Sequence, residues 1–176
     1  MERTVMGERG VSGFAAQADG LGWARLVDDL VGSNLRQWDL EDATRVIGAN
    51  DSVVAGAKRE IDRLNVRRHR LVQEIDVAID AILDQPASAP VATESPGMVL
   101  DRLSVLVIRR ARTATASARD PAFAEWIPAL DSQVADLSAA FDRYMDELST
   151  GVRRFVRYES FKLYGASSAA PASEKE

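Results

Sequence analysis

From residue 21 onward, apolar side chains recur at three- and four-residue intervals, and no stretch alternates apolar with polar in the manner of a strand. The first such run predicts a helix from Leu21 to about Ile47, closed by Gly48, a residue suited to a helix C-terminus. On a 100° wheel its inner side carries Trp23, Leu26, Val27 and Leu30, then changes character to Asn34, Gln37, Trp38, Glu41 and Arg45. The turn Gly48-Ala49-Asn50-Asp51 offers Asp51 or Ser52 as the cap of a second helix, which runs to about Leu83. A connection this short makes the two helices antiparallel neighbours. The stretch Lys58 to Asp80 of the second helix organises the pattern: its stripe of Ile61, Leu64, Leu71, Val72 and Ile75 is interrupted by Lys58, Asn65, Arg68 and Asp76.

Three prolines with Ala, Ser and Thr between Gln85 and Pro96 read as a surface connection, with a lid as the other reading. Ser95-Pro96 opens a third helix with a cap and a proline in its first turn, and Arg110 follows Val99, Leu103 and Leu106 on its inner side. Asp120-Pro121 starts the last segment, which the pattern kinks at Pro128 and carries as one helical stripe through Leu148, Val152 and Phe155 to Tyr158 and Lys162. The fold expected is all-α, a four-helix up-down bundle with a long kinked C-terminal helix. Residues 1–20 form a flexible lead-in, 21–165 the bundle, and 166–176 a disordered tail. The interior should be apolar at one end and polar at the end contributed by Glu41, Arg45, Lys58 and Asn65.

Bulk properties narrow the partners. The 176 residues suffice for one core, and the absence of cysteine removes disulfides, thiolate metal sites and cysteine nucleophiles while suiting a reducing compartment. A formal net charge of −5 argues against a nucleic-acid binder, which needs a basic face to displace counterions. Neither a secretory h-region nor a run long enough to cross a bilayer is visible, so the expectation is a cytoplasmic protein with no membrane partner.

Four short runs carry a family resemblance: NLRQWDLEDATR (Asn34 to Arg45), KREIDRLNVRRHRLVQEID (Lys58 to Asp76), ESPGMVLDRLSVL (Glu94 to Leu106) and FVRYESFKLYG (Phe155 to Gly165). Together they resemble a bacterial family catalogued as domain of unknown function 4254. The chain departs from it at Gln37, where the family carries Leu, and at His69, where it carries Asn. The resemblance implies kinship and no particular activity.

The residues themselves suggest a chemistry. Inward-facing Asn34, Glu41, Arg45, Lys58, Asn65, Arg68 and Arg110 combine more cations than anions, and a buried excess of positive charge calls for a counter-charge. Arg forks fit carboxylate or phosphate, Lys adds a compact charge, and the Asn amides orient hydroxyls or carbonyls. The bland alternative is a set of separate ion pairs, with Glu41 and Arg45 a helix-face pair at i,i+4 and the long side chains reaching water. Glu41 is the candidate general acid or base. Asp42 and Asp62 could join it around a divalent ion, but no metal-binding signature is present, so no metal or cofactor is expected. His69 reads as a proton shuttle or a structural residue, Trp38 as a stacking platform or core, and Asp101 as a partner of its helix dipole. Pro96-Gly97 offers free amides to a phosphate or simply initiates its helix.

Two functions follow. The first is binding of a small anionic, phosphate- or carboxylate-bearing metabolite, with acid-base or transferase chemistry at Glu41 as its extension. The alternative is a non-catalytic accessory protein that docks on a partner enzyme or self-associates as a homo-oligomer.

Overall fold

The computed structural model describes residues 23–45 and 50–159. The chain forms four α-helices there: α1 (Trp23–Thr44), α2 (Asp51–Asp80), α3 (Pro96–Ser117) and α4 (Ile127–Ser149), with a 3-10 turn at Pro121–Trp126 leading into α4. No named strand occurs among the described residues, and the all-α, up-down bundle is the observed architecture. Helices α1, α2 and α3 pack pairwise, while α4 lies mainly along α3. Gly48, Lys162, Gly165, the lead-in 1–20 and the tail 166–176 fall outside the described residues.

Local chemistry explains the helix ends, with three corrections. Asn50, not Asp51 or Ser52, caps α2 by accepting from Ser52 N at 2.8 Å, and Asp51 instead sits in the first turn, where its charge suits the helix dipole. Ser95 caps α3 and Asp120 caps the 3-10 turn, each followed by proline at a position that has no intrahelical bond to lose. Pro128 lies in the first turn of α4, so it begins that helix and does not kink it.

The end of the last helix is the third correction. It stops at Ser149, and Gly151 turns the chain with a φ of 70°, a left-handed conformation that favours glycine. Residues 152–159 then run without helix across the bundle as a strap. Arg154 N donates to Pro90 O at 3.0 Å and receives Ala92 N on its carbonyl at 2.8 Å, a single parallel bridge between Val91 and Arg154. Val152 and Phe155, spaced by three, imitate a helical stripe, but Val152 faces solvent and only Phe155 enters the core.

That core joins Leu30 of α1, Leu71, Val72, Ile75 and Ile79 of α2, Leu100 of α3, Leu148 of α4 and Phe155 of the strap. All come from the same end of the bundle, where α1 and α3 begin and α2 and α4 end. Farther along the bundle Ile61, Leu64, Ile108 and Leu130 are buried too, and polar side chains tie the helices together. Arg67 donates to Asp29 Oδ1 at 3.0 Å between α2 and α1, and Arg112 pairs with Asp39 between α3 and α1.

Candidate functional site

Two aspartates organise the polar interior. Asp76 is 0% exposed and stands beside the N-terminus of α3. Its Oδ1 accepts from Gly97 N at 2.7 Å, its Oδ2 accepts from Tyr158 N at 2.8 Å, and the Ser95 side chain adds a third hydrogen bond. Burial pushes its carboxyl above the usual aspartate value, with a smaller push from Asp80, and the hydrogen bonds from Ser95, Tyr158 and Gly97 work against that rise. Gly97 is required by this contact. A Cβ there would lie 2.5 Å from Val72 O and 2.8 Å from Asp76 Oδ1. The free amide at Pro96-Gly97 therefore serves the chain's own carboxylate and not a phosphate. Tyr158 continues the strap's attachment, its hydroxyl 2.7 Å from His69 Nδ1 and its ring stacked on the imidazole at 5.6 Å.

Asp101 anchors the second network. Its Oδ1 accepts from Asn34 Nδ2 at 2.9 Å, and its Oδ2 lies 3.6 Å from Arg68 Nε, an ion pair too long for a hydrogen bond. Asn34 is 5% exposed and also donates to Ser104 Oγ at 2.7 Å, while Ser104 gives its own proton to Asp101 O at 2.7 Å. Beside it, Gln37 Nε2 donates to Asn65 Oδ1 at 3.2 Å. Three buried polar atoms in this network have no hydrogen-bond partner: Arg68 Nε, Asn34 Oδ1 and Gln37 Oε1.

Those three residues line one cleft of about 360 Å³ with Trp38, Glu41, Asp42, Arg45, Val105 and Arg109. Arg68, Val105 and Arg109 also line a second cleft of about 790 Å³, which continues over α3 to Gln133, Asp136 and Leu137 on α4. The structure thus brings Asn34, Glu41, Arg45 and Arg68 to a shared opening, and holds Asn65 next to it through Gln37. Arg45 stands at the exposed rim, 71% open, 3.9 Å from Glu41 and 3.6 Å from Asp42.

Two expected members are elsewhere. Lys58 does not point inward: it is 67% exposed and 3.9 Å from Asp62, one helical turn along the outer surface of α2. Arg110 leaves the cleft because α3 carries two inner stripes, one toward α1 and α2 and one toward α4. It follows the second, and its Nε and Nη2 reach the two oxygens of Asp131 at 2.6 and 3.2 Å. That fork holds the Asp131 carboxyl below its usual value. Arg109, one residue earlier, is the arginine in the cleft, and no carboxylate of the described residues comes within 4.0 Å of it. Its register with Arg102 and Val105, seven and four residues back, is the signal that would have found it. Asp101 is a bridge between helices more than a partner of its helix dipole, and Arg102 pairs with Glu94 at 2.9 Å. Among the described residues no group of three His, Cys, Asp or Glu side chains could hold a metal ion, and no helix is long and apolar enough to cross a membrane.

No curated protein and no solved structure matches the chain. A family model described as "Protein of unknown function (DUF4254)" matches residues 24–156, which include all of α1 but Trp23, α2 to α4, both aspartate networks except Tyr158, and the whole cleft. The chain therefore belongs to the family of domain of unknown function 4254.

Proposed function

We propose that this protein binds a small anionic metabolite, bearing phosphate or carboxylate, in the cleft where α1, α2 and α3 meet. The observation that carries the reading is Arg68, a residue of the cleft wall whose buried Nε makes no hydrogen bond and has only the Asp101 carboxylate for company, 3.6 Å away. A charged donor held beyond hydrogen-bond reach of its carboxylate gains free energy when a bound oxyanion accepts from it. Arg109 supplies a second guanidinium in the same opening, and Arg45 a third at the rim, partly offset by Glu41 and Asp42. Trp38 adds a flat apolar surface beside these charges. Glu41 lines the opening too, and an acid-base role for its carboxylate extends the reading from binding to chemistry.

The test is a thermal shift titration with phosphate, a sugar phosphate and a dicarboxylate. Binding raises the melting temperature with ligand concentration. Arg68→Ala and Arg109→Ala should each weaken the response by about tenfold or more in ligand concentration, as expected for a lost charge-assisted hydrogen bond. Arg110→Ala, which removes an equal charge outside the cleft, should leave the response unchanged. Equal losses in all three variants, or no response to any anion, would sink the proposal.

A further inference from the structure

The cleft offers more than positive charge, and its two unpartnered oxygens restrict what the anion must carry. The orientation of Asn34 is settled by its partners. Asp101 Oδ1 has no proton to give, and the single proton of Ser104 Oγ goes to Asp101 O, so both neighbours can only accept from the amide. Asn34 must therefore turn its NH2 toward them. Its Oδ1 is left buried and unpartnered, in a side chain that is 5% exposed and belongs to the cleft lining. Gln37, one helical turn along α1, also lines the cleft: its Nε2 donates to the amide of Asn65, and its Oε1 is buried without a partner.

Ionised phosphate or carboxylate oxygens cannot satisfy these atoms, since they only accept. We infer that the ligand is a hydroxylated anion, whose charged end meets Arg68 and Arg109 while its hydroxyls donate to Asn34 Oδ1 and Gln37 Oε1. This rests on the anion-binding reading above and narrows it. A small polyol phosphate or a hydroxy acid has the required chemistry; an alkyl phosphate or a simple carboxylate has only half of it. The preference follows from the cost of covering a polar group that stays unpaired, which makes sites built to accept a hydroxyl discriminate against analogues that lack it.

The experiment uses the full chain and two matched pairs of probes, followed by calorimetry. Glycerol phosphate is compared with propyl phosphate, and glycerate with propanoate, so that charge and length stay similar and only the hydroxyls differ. The hydroxylated member of at least one pair should bind about fivefold or more tightly than its partner, and the pair that responds identifies phosphate or carboxylate as the charged end. Gln37→Leu should reduce that preference by about twofold or more, chiefly by letting propyl phosphate or propanoate bind more tightly, since their alkyl carbons no longer cover an unpaired oxygen. If both members of each pair bind equally, the hydroxyl requirement is wrong and anion binding stands. If no probe of either pair binds, both readings fall together. Gln37→Leu keeps the test independent of Asn34, whose replacement would also break the link to Asp101 and Ser104.

Discussion

Asp76 and Asp101 are both carboxylates set between helices, but the networks around them end differently. Asp76 is fully covered, and every partner named for it belongs to the chain: two backbone amides and one hydroxyl, drawn from α3 and the strap. Asp101 is partly exposed, and its neighbours Asn34 and Arg68 retain buried atoms with nothing to bond. A saturated network joins elements, whereas an unsaturated one beside a cleft has capacity for something else. The two meet neighbouring turns near the start of α3, at Gly97 and Asp101, but open onto different surroundings. The first borders the apolar core of Leu71, Val72, Ile75 and Phe155, and the second borders the opening around Trp38 and Arg109.

Replacing the two aspartates should separate these roles most sharply. Asp76→Ala strands Gly97 N and Tyr158 N in the interior and releases the strap, so a loss of about 3 kcal/mol or more is expected in denaturant unfolding. Gly97→Ala attacks the same bond from the other side. Its Cβ would press on Val72 O and Asp76 Oδ1, at a cost of about 1 to 3 kcal/mol. Asp101→Ala should cost less than Asp76→Ala, about 1 to 2 kcal/mol, because Arg68 is partly solvated already. Its larger effect should be on anion binding. A greater stability loss at Asp101 than at Asp76 would erase the distinction between a structural and a binding network.

Acid titration tests the same contrast at Asp76 alone. Its folded value is raised, first by burial, so the folded state holds the proton more tightly than the unfolded chain does. Stability from this group is then present below the ordinary value of 3.8 and is lost as pH rises through the folded value. Comparing the native protein with Asp76→Asn isolates that slope. The Asn variant cannot titrate, while the opposite contribution of Asp131, which favours folding above its depressed value, is common to both. The native protein's advantage over the variant should shrink as pH rises from 3.8. An advantage that grows instead would show that the amides of Gly97 and Tyr158 outweigh desolvation.

Much of this contrast was legible in the sequence. The change from Leu30 to Asn34 and Glu41 along α1 marks where the core around Leu30 gives way to the cleft, and capping chemistry locates the start of α3. The rest was hidden for physical reasons. Helical period cannot say which of two neighbours a residue on α3 faces, so Arg110 was placed where Arg109 belongs. Nor does it distinguish a helix from an extended strap when apolar residues fall three apart, as Val152 and Phe155 do, and the deciding residue is Gly151. The pairing of Asp76 with Gly97 joins residues 21 apart, and its link to Tyr158 spans 82. No local pattern encodes either.

The smallest effects are expected at the rim, and they sharpen the comparison by their absence. Lys58 and Asp62 face solvent on α2 at 3.9 Å, and Arg45 reaches Glu41 at the same distance with most of its side chain in water. Exposed i,i+4 pairs contribute little because solvent screens the charges and holding both side chains costs entropy. Lys58→Ala should therefore change stability by no more than about 0.5 kcal/mol and leave anion binding unaltered. Arg45→Ala should be equally mild in unfolding but weaken anion binding by about two- to threefold, since its charge acts on the cleft through water. Salt should reproduce that loss in the native protein and add nothing in the Arg45 variant beyond the screening of Arg68 and Arg109. If Lys58→Ala lowered anion affinity as much as Arg68→Ala, the positive field of the whole surface and not the unsatisfied cleft wall would govern binding.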